Sequence, residues 1–204
     1  MTALAAGAPP KRSEAPADDP RSRRRRRAAV ARRLLAVAPE AAAALDWEAL
    51  DAAPGWLAMS DTDLMVLARQ VGALLSAASI RLWIDGARIA AARTALGGPF
   101  LQALQALPEA QVLPRNVAPS PRIDSAEQVA PLLRTSGLAV LQASLSNATL
   151  RRAAASMLGN HASTMAPALA QSLVARAQTL VVRTPPPART QGPANNKPTE
   201  GIKA

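Results

Sequence analysis

An all-α fold, a compact bundle of about seven helices with disordered N- and C-terminal tails, is predicted by three features of the 204-residue chain. Alanine supplies 49 residues and only four are aromatic, Trp47, Trp56, Trp83 and Phe100. Ala, Leu, Arg and Gln favour helices, whereas β-branched and aromatic residues favour sheets. A long apolar stripe at helical spacing starts at Leu64, and Gly or Pro pairs divide the chain into segments of helix length.

Residues 1–27 read as a disordered basic arm, rich in proline and small residues before the run Arg23 to Arg27. A helix is expected over about 28–38 and another over 40–52, ahead of Pro54-Gly55. Ser60-Asp61-Thr62-Asp63 has capping-box spacing and opens the strongest helix. Its face is Leu64, Leu67, Val71, Leu74, Leu75, Ala78 and Leu82, and Gly72, Ala73 and Ala77 would admit a close neighbour. Asp85-Gly86 kinks or breaks it, and the apolar face resumes at Ile89 until Gly97-Gly98-Pro99.

A short helix carries Phe100, Leu101, Leu104 and Leu107, and a proline-rich loop spans 108–121. That loop is long enough to separate two groups of helices. Asp124 or Ser125 caps the next helix, with Val129, Leu132, Leu133, Val140, Leu141 and Leu145 as its face and Pro131 and Gly137 as weak points. Asn147 caps a further helix to Leu158, and the last runs from about Ser163 to Val182. The helical domain is thus 28–183, and 184–204, with Pro185-Pro186-Pro187, reads as a disordered tail.

Composition argues against catalysis. The chain has no cysteine, no tyrosine and one histidine, His161, and its three lysines lie near the ends. Disulfides and thiolate metal sites are excluded, and no metal or cofactor is expected. There is no phosphate-binding Gly-Lys-Ser/Thr loop, no dinucleotide fingerprint and no nucleophile elbow. Asp61 and Asp63 resemble paired carboxylates, but at a helix start they serve the cap and the dipole. No apolar run is long enough for a membrane helix, so a soluble, cytoplasmic protein is expected.

The net charge of +10 is uneven. Residues 1–33 are strongly basic and 34–60 carry only acids, among them Asp46, Glu48 and Asp51. The arginine run reads as a solvated arm, as a contact for an acidic protein or anionic lipid headgroups, or as a nucleic-acid contact. No aromatic interleaves it, which disfavours the last.

One segment stands out: Arg81-Leu82-Trp83-Ile84-Asp85-Gly86-Ala87-Arg88-Ile89. Two readings stay open. Trp83 and Ile84 could be core with Gly86 permitting tight packing, or a part-exposed tryptophan between arginines could anchor an interface. Trp47 and Trp56 fit either.

At these residues the chain resembles a known family. Leu67-Ala68-Arg69-Gln70-Val71-Gly72-Ala73-Leu74-Leu75, then Ile80-Arg81-Leu82-Trp83-Ile84-Asp85-Gly86, then Ala95-Leu96-Gly97, is similar to the SctK (YscK-type) family of bacterial type III secretion systems, in its Hrp branch. The similarity is clearest over residues 60–107; the arginine-rich head and proline-rich tail lie outside it. It implies a non-enzymatic cytosolic adaptor of the sorting platform beneath the injectisome base, at the cytosolic face of the inner membrane. Its implied partners are the cytoplasmic domain of an SctD-type inner-membrane ring protein and an SctQ-type pod protein. The candidate contact residues are Arg81, Trp83, Ile84, Gly86 and Arg88. The competing functions are a secretion chaperone or effector and a basic nucleic-acid-binding protein.

Overall fold

The computed structural model describes residues 19–114, 121–161 and 163–182, and these residues contain helices and no strand. The all-α expectation holds with more helices than the sequence suggested: ten α-helices and two short 3-10 turns among the described residues.

The first helix, α1 (Pro20–Val37), starts well before residue 28. Arg23 to Arg27 is therefore helical rather than part of an arm. Arginine is a good helix former, and Pro20 sits at a first-turn position where its missing N–H costs nothing. A tertiary pair offsets part of the repulsion, as Arg27 bridges to Asp51, and further along the helix Arg33 pairs with Asp61. Val30 and Leu34 are the buried side of α1. The expectations for residues 1–18 and 184–204 lie outside the described residues.

The helix expected over 40–52 is two: α2 (Pro39–Ala43) and α3 (Trp47–Asp51). Asp46 divides them, because its carboxylate accepts the Ala49 amide and caps α3. A 3-10 turn over Gly55–Ala58 then buries Trp56, which is only 2% exposed. Trp47 is 73% exposed. The two tryptophans that composition could not separate thus have opposite environments.

Ser60 caps α4 (Asp61–Leu75) as its spacing predicts: its Oγ accepts from the Asp63 N–H and donates to the Asp63 carboxylate. The stripe from Leu64 to Leu75 is buried, but the helix ends at Ser76. A single turn, α5 (Ala77–Ile80), comes next, and residues 81–85 are non-helical before α6 (Gly86–Leu96). This early break shifts the phase of the residues after Ser76. Leu82, expected on the buried stripe, is 69% exposed.

Helix α7 (Gly98–Gln105) buries Phe100, Leu101 and Leu104. Beyond it lies a 3-10 turn over Glu109–Gln111, and Arg176 reaches back to the Gln111 backbone and side chain, fastening the start of the proline-rich stretch. Ser125 precedes α8 (Ala126–Ala143), which is unbroken at Pro131 and Gly137. Pro131 lies in the second turn on the exposed side, as does Glu127, whose carbonyl loses its N–H partner. Asn147 caps α9 (Ala148–Leu158) through the Leu150 amide, as expected. The last helix, α10 (Pro167–Val182), begins with proline rather than at Ser163.

Helices before and after the proline-rich stretch share one apolar cluster, from Val30 to Ala177. At its centre α4 crosses α8, with α6 and α10 packed beside them and α1 to α3 joined to α9. The crossing is set by two glycines. A Cβ placed on Gly72 would overlap the Leu133 carbonyl, and one on Gly137 would overlap the Ala68 carbonyl. Each helix therefore presses a bare Cα against the other's backbone. Gly137 is a contact point, not the weak point it resembles in sequence.

Candidate partner-binding surface

The five residues singled out by sequence meet at one surface feature, the bend between α5 and α6. Ile80 is buried and pins the entrance, while Asp85 caps α6 by accepting the Ala87 amide at 2.9 Å. Ile84 is 95% exposed, and Leu82 and Arg81 are exposed as well. Nothing lies within 4 Å of a Cβ built on Gly86, so this glycine permits no close packing. The core reading fails for Ile84 and Gly86.

Trp83 is half-buried and packs on the edge of the core. Arg88 locks it there. Its guanidinium lies 5.6 Å from the centre of the Trp83 ring, pairs with the Asp85 carboxylate at 3.1 Å and donates to the Ile123 carbonyl at 3.2 Å. Cation–π attraction, an ion pair and a backbone hydrogen bond thus converge on one side chain. They tie the bend to the segment leading into α8. Trp83 and Asp85, on either side of Ile84, are thus both held by Arg88.

The Asp85 carboxyl is held below its ordinary range, chiefly by the Ala87 amide. Desolvation, the next-largest influence, opposes this, and the hydrogen bonds and charge of Arg88 add to the lowering. A depressed folded value means that the group's contribution is complete above its ordinary value of 3.8. It is lost as pH falls through the lower folded value. The Ala87 amide resonance, followed by NMR, is expected to titrate with a midpoint below 3.8; a midpoint at or above that value contradicts the cap.

Sequence reasoning missed Leu82, because an unbroken helix would have buried it. Nothing in the residue pattern marked the break at Ser76. His161 is half-buried, with its backbone N–H donating to the Gln142 side chain, and among the described residues no group of His, Asp and Glu could hold a metal. No helix among them is long and apolar enough to cross a membrane.

No protein-family model matches the chain, and neither the curated proteins nor the solved structures contain a significant match.

Proposed function

We propose that the chain is a non-enzymatic adaptor of a bacterial type III secretion system, linking the inner-membrane ring protein to the sorting-platform pod protein. The observation that carries this reading is the bend at residues 81–88. Two large apolar side chains stand in water on a loop whose conformation is fixed by Asp85 and Arg88. A lone exposed apolar residue is ordinary, but two beside a braced tryptophan match the anchor chemistry of protein interfaces. The similarity of residues 67–75, 80–86 and 95–97 to the SctK family supplies the partner classes and a place at the cytosolic face of the inner membrane.

Affinity capture tests it. Tagged full-length protein is recovered from its native bacterium under secretion-inducing conditions, with nuclease present. The reading predicts recovery of an SctD-type ring protein together with an SctQ-type pod protein. Recovery of a single dedicated effector would favour the chaperone reading instead, and recovery of nucleic-acid-linked proteins alone would favour the basic-protein reading.

A further inference from the structure

We propose that the outward face of α1 docks onto an anionic lipid surface. This inference does not rest on the adaptor reading; it starts from how the arginines of one helix divide. At 3.6 residues per turn, Arg21, Arg24, Arg25, Ala28, Arg32 and Leu35 fall within roughly a third of the helix circumference, opposite Val30 and Leu34. All six are exposed, while Val30 and Leu34 are fully buried. Nearer the body, Arg27 and Arg33 pair with Asp51 and Asp61. The fold uses those arginines. The side chains of Arg21, Arg24, Arg25 and Arg32 have no ion pair or hydrogen bond with another described residue.

The outer charges are placed against the helix. Arg21 stands three and four positions from Arg24 and Arg25, where like charges repel. The first turn holds no acid, and among the described residues the N-cap Asp19 is the one carboxylate set against Arg21, Arg24 and Arg25 at the positive end of the helix dipole. An anionic surface relieves both terms at once. The face is a straight ridge about 21 Å long from residue 21 to residue 35, suited to a plane rather than to a cleft.

Apolar groups decide between anionic surfaces. Trp47 stands beside Arg24, Arg27, Ala28 and Ala31 with 73% of its surface exposed. Leu35 is 50% exposed and continues the same row, four residues beyond Ala31. A tryptophan and a leucine flanking a basic ridge suit the boundary between headgroups and acyl chains. The ridge's arginines alone would suit phosphates of either kind, but a nucleic-acid backbone gives Leu35 nothing apolar to enter.

The test is sedimentation of the full chain with phosphatidylglycerol–phosphatidylcholine vesicles at about 0.15 M salt, against vesicles of phosphatidylcholine alone. Each arginine at such a surface strengthens binding about fivefold. Changing Arg21, Arg24, Arg25 and Arg32 together to Gln should therefore weaken binding at least about a hundredfold with helicity unchanged. Bound protein should show a blue-shifted tryptophan emission that Trp47→Phe removes. Equal binding to neutral vesicles, full binding by the four-Gln variant, or tighter binding to duplex DNA than to anionic vesicles at the same salt would each overturn the proposal.

Discussion

Gly137→Ala is expected to destabilise the fold by at least about 3 kcal/mol, and Gly137→Leu to prevent the native crossing altogether. The cause is geometric rather than a matter of helix propensity. On propensity alone, Gly→Ala in a helix interior stabilises by about 1 kcal/mol. Here the added methyl meets the Ala68 carbonyl oxygen, a backbone atom that cannot rotate away. The reciprocal contact at Gly72 meets the Leu133 carbonyl, so relief requires α4 and α8 to separate along their length. Separation opens gaps around Leu64, Val71, Leu133 and Leu141, all of them fully buried. Thermal unfolding measures the outcome directly. For a chain of this size the loss corresponds to roughly 6–12 °C in Tm. An unchanged or raised Tm for Gly137→Ala would mean that the two helices cross without backbone contact.

The second large effect is on binding. Ile84→Asp is expected to weaken partner binding at least about thirtyfold, the range of an interface hot spot. Its side chain touches almost nothing in the free protein, so stability should stay within about 0.5 kcal/mol. Few substitutions separate the two readouts so cleanly. Trp83→Ala also removes the ring beneath Arg88 and leaves a gap at the edge of the core, so its effect on binding mixes with one on folding.

The residues that were legible in sequence are those whose partners are local. The Ser60–Asp63 box, the Asn147 cap and the stripe from Leu64 to Leu75 depend on neighbours within a few positions, and each stands as its spacing implies. Long-range partners carried the rest. Arg27, ahead of the predicted helix start, has its partner in Asp51, which no window along the chain contains. Gly137 looked like a helix breaker because its worth lies in Ala68 on another helix. At the bend, the right residue types were visible, but their exposure was not. A break at Ser76 moved Leu82 out of the buried phase that a continuous helix would have given it.

The measurement that bears most directly on the docking role of the bend is a paired one on Ile84→Asp: thermal stability, and affinity for the purified cytoplasmic domain of the ring protein and for the pod protein. An unchanged Tm with binding to one partner lost is the predicted result. Wild-type affinity for both partners would contradict it, and so would a Tm that falls together with binding, since that would make Ile84 part of the core.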